Sequence, residues 1–312
     1  MGTFLGHVVP GTFFIGFALW WIYSIFRRYF IANKFHHNGI EGYRNTISYP
    51  CHVNSRSVNI EGYLKVICTT IGIIGETATA FEDGHWAHLG NGQHITMFAF
   101  FGISGVVDLI AMKKDKVLPA NSGYAVGFLA FAAEGFLFYN HLHGRTHMDV
   151  QVHMMLFCAI VGCAVSAVFE AYLKNSVIAA LSRAYFTLLQ GTWFYQVGFI
   201  LYPPFSFLGK WNEDSHEQMM IVTMIYTWHA AFHIALIICA GFWVKFRVDK
   251  LTDADEEYSF WAEDSAPLYK KLSNMDNQWI GQYKDSIEDE PSVSRRNEKF
   301  KSEIIDSDLE AP

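Results

Sequence analysis

Charge is what this chain has least of. Only 17% of its 312 residues are charged, whereas 51% are hydrophobic and 16% aromatic; ordinary soluble domains carry roughly a quarter charged residues. Part of that apolar surface must face lipid. Paired cysteines are also lacking. Cys51, Cys68, Cys158, Cys163 and Cys239 stand singly, which leaves no disulfide framework or thiolate zinc motif and makes them small core residues. There is no basic stripe: the net charge is -7, with acidic residues crowded past Leu251, so phosphate backbones find no counterpart and nucleic acid is not a partner. No basic residue precedes the first apolar run, while Arg27 and Arg28 follow it directly. That order predicts a retained helix rather than a signal peptide. The myristoylation pattern fails as well, because Gly6 stands where Ser or Thr is needed.

What is present is a series of apolar runs of about 20 residues, the length that crosses the hydrocarbon core as a helix. They extend from Val8 to Phe26, Asn59 to Phe81, Gln93 to Met112, Ser122 to His141, Val150 to Tyr172, Ser176 to Leu201 and Gln218 to Val244. None alternates as barrel strands do, so each is read as a helix that satisfies its own backbone. The expected fold is all-α, an integral membrane bundle of seven transmembrane helices over residues 1–250. Residues 251–312, with DADEE, EDEP and SRRNEKFKSE among few aliphatic residues, are expected to be a disordered cytosolic tail. Within the tail, Tyr269 to Leu272 fits a tyrosine-based sorting pattern.

Basic residues set the expected orientation. Twelve Lys and Arg flank the spans on one side, from Arg27 to Arg56, Lys113 to Lys116, Lys174 and Lys245 to Lys250, against Arg145 and Lys210 on the other. The N-terminus is therefore expected outside or in the lumen and the C-terminus in the cytosol.

Several strings look familiar: GHVVPGTFF (Gly6 to Phe14), GHW (Gly84 to Trp86), EGFLFYNHLHGR (Glu134 to Arg145), LQGTWFYQVGFILYPP (Leu189 to Pro204) and WH (Trp228 to His229). In order and spacing, over most of residues 1–245, the chain resembles the transmembrane protein 45 family. The resemblance implies a seven-span protein of Golgi, endosomal or plasma membranes and carries no assigned activity. The loop from Asn33 to Ser57 and the tail have no matching motif.

An ionisable group inside a span is costly unless paired or hydrated, which makes such groups the candidates for function. Nine of the fourteen histidines fall at or near the outer side: His7, His85, His88, His94, His141, His143, His147, His153 and His216. At 1.5 Å of rise per residue, Glu76 lies roughly 7 Å, Glu134 about 10 Å and His153 about 5 Å inside their spans. Gln196 lies at a similar depth, and His229 reaches toward that layer from mid-membrane. Glu134 and His141, seven apart, share a helix face, whereas His143 faces away from His141. His85 and His88 could share a metal if their loop is helical, and His229 and His233 stand four apart on one face.

The chemistry these groups suggest is a divalent metal, zinc above all. Its candidate ligands are His141, His153, His229, Glu76, His94 and His143, with Glu134 as the catalytic base, and a bound water would then be nucleophilic near neutral pH. The plainer reading is interhelical hydrogen bonding with Gln190, Gln196, Asn140 and Tyr139. Other features have structural readings. Trp20, Trp21, Trp86, Trp211 and Tyr202 suit interfacial belts, and Pro203 and Pro204 end the sixth span. Gly72, Gly75, Gly102, Gly105, Gly191 and Gly198 permit close helix approach. Arg183 is expected to snorkel, and Asp108 and Glu170 to be hydrated at the cytosolic ends.

Four functions stay open. One is a metal-dependent membrane enzyme such as a lipid hydrolase, and a second is a proton- or metal-coupled carrier, which needs polar groups continuing through the bilayer. A third is a haem b redox protein with His94 and His153 or His229 as axial ligands. The fourth is a non-catalytic adaptor. The candidate partners are the bilayer, a lipid or small molecule in the outer cavity and a second copy of the chain.

Overall fold

The computed structural model describes residues 3–35, 42–53, 56–112, 117–140, 142 and 144–251, and the bundle unit comprises residues 1–36 and 42–250. Among the described residues there are seven long helices: α1 (Phe4–Phe35), α2 (Ile60–Ala80), α3 (Leu89–Ala111), α4 (Ser122–Asn140), α5 (His147–Tyr172), α6 (Val177–Leu201) and α7 (His216–Asp249). Each expected span coincides with one of them. The tail from residue 252 and its sorting pattern lie outside the described residues.

Local chemistry explains where the helices start and stop. The side chains of Asn59, Thr146, Ser176 and Ser215 accept from the backbone N–H three residues on, capping α2, α5, α6 and α7. Tyr202 closes α6 ahead of Pro203 and Pro204, as proline cannot continue a helix. Gly144, with φ of 78°, turns the chain between α4 and α5. Between α2 and α3 the chain makes a small antiparallel hairpin, β3 (Phe81–Glu82) with β4 (His85–Trp86), after another formed by β1 (Cys51–Val53) and β2 (Arg56–Val58). Asp83 and Gly84 both take positive φ, 50° and 79°, the pattern of a tight two-residue hairpin turn. His85 and His88 therefore do not share a helical face, which corrects the helical alternative for that loop.

α6 is the hub of the bundle. It packs against α1, α5 and α7, while α2, α3, α4 and α5 adjoin one another in sequence order. Its contact with α1 is close enough that backbone meets backbone: a Cβ on Gly11 would lie 2.8 Å from the Gly191 carbonyl oxygen, and one on Gly191 would lie 2.8 Å from the Ile15 nitrogen. Trp193 of α6 is fully buried and donates its indole N–H to the Val152 carbonyl of α5 at 2.9 Å. At the far end of the bundle Lys34 of α1 donates to the Val248 and Asp249 carbonyls that end α7.

Among the described residues five helices, α1, α3, α4, α5 and α7, are long and apolar enough to cross a membrane. The expectation of seven is met at this level for those five. α2 carries Glu61, Lys65 and Glu76, and α6 carries Arg183, Gln190 and Gln196, and these polar groups dilute their hydropathy. α6 faces protein along most of its length, so it has little need of a lipid-compatible surface.

Candidate functional site

The end of the bundle that carries the β3–β4 hairpin and the α4–α5 turn is rich in histidine, and it opens into a cavity of about 920 Å³. The cavity is walled by five or more helices. His7 of α1, Glu76 of α2, His94 of α3, Asn140 of α4 and His153 of α5 face it, and Phe138 and Phe194 line it with them. Several of its ionisable groups are held by one another. His94 Nδ1 lies 3.1 Å from Glu76 Oε1, and Asp149 holds both Arg145, at 2.9 and 3.1 Å, and His153 Nδ1, at 2.7 Å.

Phe138 and Phe194 form an aromatic layer below this cavity. Phe138 touches the His153 ring at 6.1 Å and Phe194 at 5.8 Å, and Phe194 stacks on Phe14 at 5.8 Å. Glu134 lies one helical turn beyond Phe138 and is 2% exposed. Gln190 Nε2 donates to its Oε1 at 2.7 Å, while Oε2 has no hydrogen-bond partner among the described residues.

From Glu134 the polar groups continue along α5 and α6. Cys163 Sγ–H donates to Gln190 Oε1 at 3.3 Å and lies 3.6 Å from the Thr187 hydroxyl, which donates to the Arg183 carbonyl. Arg183 Nε–H then meets Glu170 Oε2 at 2.5 Å, and the Tyr124 hydroxyl donates to Glu170 Oε1 at 3.3 Å. Arg183 and Glu170 are 1% and 0% exposed, and the guanidinium stacks 4.0 Å over the Trp21 ring. These two residues were expected to snorkel and to be hydrated. Helix α1 and the segment before α2 cover them instead, and in that enclosure only mutual pairing makes two charges tolerable. Asp108 is likewise buried, 2.6 Å from Lys65 Nζ. Trp20 and Trp21, read as belt residues, both donate to the buried Glu61 carboxylate at 2.7 and 2.9 Å. Beside this layer, burial together with the Glu170 carboxylate pushes the Tyr43 and Tyr49 phenols well above their usual pKa, which keeps them neutral.

The expected metal site is only partly assembled. Glu76, His94 and His153 do face one cavity, whereas Glu134 lies beneath its aromatic floor and His229 lies elsewhere. His229 sits at the α6–α7 seam: its Nδ1 is 3.4 Å from the Thr192 hydroxyl, which is also 3.2 Å from Nε2 of the buried His233. His141 and His143 lie outside the described residues, and Gln196 is half-buried on α6. No group of three or more His, Cys, Asp or Glu among the described residues is arranged to hold an ion. Sequence reasoning missed His7, Asp149 and Arg145 as cavity groups. The i, i+4 spacing of Arg145, Asp149 and His153 was a readable signal for part of this, but His7 joins them only through the α1–α6 packing.

Residues 123–242, from α4 through most of α7, match the model of a family described as "Family of unknown function (DUF716)". The chain is 21% identical over 303 residues to transmembrane epididymal protein 1 of Rattus norvegicus, covering 89% of this chain and 94% of the relative. It is 20% identical to transmembrane epididymal protein 1A of Mus musculus, covering 87% and 92%. It is 27% identical over 192 residues to transmembrane epididymal protein 1 of Homo sapiens, covering 59% and 69%. Similarity over nearly the whole of transmembrane relatives agrees with the five apolar helices. The chain is a multi-pass membrane protein.

Proposed function

We propose that this protein is a proton-linked carrier that takes a small polar or cationic solute from the histidine-lined cavity and passes it along the α4–α5–α6 column. One observation carries the reading: buried polar groups continue from the cavity through most of the bundle instead of stopping at one layer. His153 and Glu170, at the two ends of that series on α5, are about 26 Å apart along the axis at 1.5 Å of rise per residue, close to the ~30 Å thickness of a hydrocarbon core. Intramembrane ionisable groups in such a series are the usual marks of ion pathways and proton relays. Glu134 is the candidate proton carrier. Its second oxygen is buried and unsatisfied, and Phe138 and Phe194 stand between it and the cavity as a constriction.

The finer topology belongs to this proposal. All seven helices span: α2 because its charges pair inward on α1 and α3, and α6 because α1, α5 and α7 enclose it. The basic-residue asymmetry puts the cavity on the lumenal or extracellular side and the C-terminus in the cytosol of a Golgi, endosomal or plasma membrane protein. The metal-dependent hydrolase reading would draw its further ligands from His141 and His143, and haem analysis of the purified protein separates the redox reading from a carrier.

The test is proton flux in sealed liposomes. Wild-type protein reconstituted with an internal pH-sensitive dye should dissipate an imposed pH gradient, and Glu134→Gln should lower the rate at least tenfold while remaining monodisperse and folded. Equal rates in wild type and E134Q, or wild-type rates no higher than empty liposomes, would overturn the reading.

A further inference from the structure

The cavity itself holds a more specific arrangement. His7 and His153 come from different helices, α1 and α5, and are 8% and 4% exposed, yet both line the open space. In each ring Nδ1 is already committed. His7 Nδ1 lies 2.8 Å from the Thr3 carbonyl oxygen, and His153 Nδ1 lies 2.8 Å from the Asp149 carbonyl and 2.7 Å from its carboxylate. A carbonyl oxygen only accepts, so each Nδ1 carries the hydrogen. In the neutral ring that leaves the lone pair on Nε2, and neither Nε2 has a hydrogen-bond partner among the described residues. Holding a histidine through Nδ1–H on a carbonyl or carboxylate is the arrangement that orients and strengthens metal-ligating imidazoles.

The spacing of the two rings fits the same use. Their centroids are 5.8 Å apart at an interplanar angle of 68°. Two imidazoles bound through Nε2 to one zinc ion, each at 2.0–2.1 Å, have ring centres roughly 5–6 Å apart. We infer that His7 and His153 form a two-histidine site for a divalent transition-metal ion of the zinc class, the loading site of the carrier. The inference rests on the carrier reading for its purpose but not for its chemistry. With two protein ligands, water completes the coordination, which suits cargo that must leave; structural zinc sites instead close with four protein ligands. Glu76 and His94, on the same cavity wall, supply a negative charge and a further imidazole along the approach.

Chelator-treated, full-length protein in detergent is titrated with zinc chloride in a calorimeter. The expected result is one zinc ion per chain, with His7→Gln and His153→Gln each weakening binding at least tenfold. Asp149→Asn, which removes the carboxylate charge that supports His153 and also pairs with Arg145, should weaken it roughly tenfold to a hundredfold. His147→Gln is the control, because His147 is 82% exposed and outside the cavity lining. Should a histidine variant not fold, carbethoxylation of the unmodified protein decides: zinc should slow labelling of His7 and His153 and leave His147 unchanged. Absence of stoichiometric zinc binding, binding unchanged in H7Q and H153Q, or labelling indifferent to zinc would overturn the site. Zinc binding at these histidines without proton flux in liposomes removes the carrier and leaves the site; flux that depends on Glu134 without zinc binding does the reverse.

Discussion

Gln190 Nε2 donates to Glu134 Oε1 at 2.7 Å, and the other oxygen of that enclosed carboxylate is left without a partner among the described residues. A buried group with unmet hydrogen-bonding capacity costs about 1–3 kcal/mol, more when charged. Glu134 is therefore a cost to the bundle rather than a prop. Glu134→Gln keeps the shape and removes the charge, so its melting temperature in detergent is expected to be no lower than wild type. Gln190→Leu strands the carboxylate and is expected to lose about 1–3 kcal/mol. If E134Q melts as low as Q190L, the ionised carboxylate is structural.

Arg183 and Glu170 make the opposite case, a pair in which each charge depends on the other. Glu170→Gln or Arg183→Met alone leaves one buried charge uncompensated and is expected to cost about 3–5 kcal/mol. The double replacement E170M/R183M should recover much of that loss, since an apolar pair of similar volume needs no desolvation. Additive losses in denaturant-monitored unfolding would mean that the two residues act through other neighbours, with the Trp21 stack of Arg183 the first to examine.

The α1–α6 contact depends on missing side chains. Gly11→Val and Gly191→Val would each push a Cβ to 2.8 Å from backbone of the facing helix, and a backbone neighbour cannot rotate away. Both variants are expected to express poorly or to melt far below wild type. Gly16→Ala, one to two turns further along α1 with nothing within 4 Å of its Cβ position, should be indistinguishable from wild type. Normal stability in G191V would require the two helices to separate, and a changed near-ultraviolet spectrum from Trp21 and Trp193 would report it.

Orientation can be read from proteolysis of sealed vesicles. The basic-residue asymmetry predicts that protease on the cytosolic face removes the segment beyond Lys250 and that protease confined to the lumen does not. Cleavage from the lumenal side alone would invert the topology and place the histidine-lined cavity in the cytosol.

The sequence by itself determined the helices. Apolar runs of membrane-crossing length, capped by Asn59, Thr146, Ser176 and Ser215 and stopped by Pro203 and Pro204, are local signals, and most of the ends they imply fall within a few residues of those observed, while α1 continues past Phe26 to Phe35 because the charged residues that end an apolar run do not end a helix. It also marked Glu134 and His153 as costly groups inside spans, because that follows from residue type and depth alone. Which of the polar groups meet was decided only by the tertiary structure. A helix of 3.6 residues per turn has a known periodicity, but its rotation about its axis is set by packing. The near-zero clearance between Gly11 and Gly191 sets how α1 lies on α6, and that contact swings His7 toward His153, Trp21 onto Arg183 and Trp20 and Trp21 onto Glu61. The same packing hides Glu170 and Arg183, which by position alone would have reached water, and turns His229 to the α6–α7 seam, away from the layer its depth suggested.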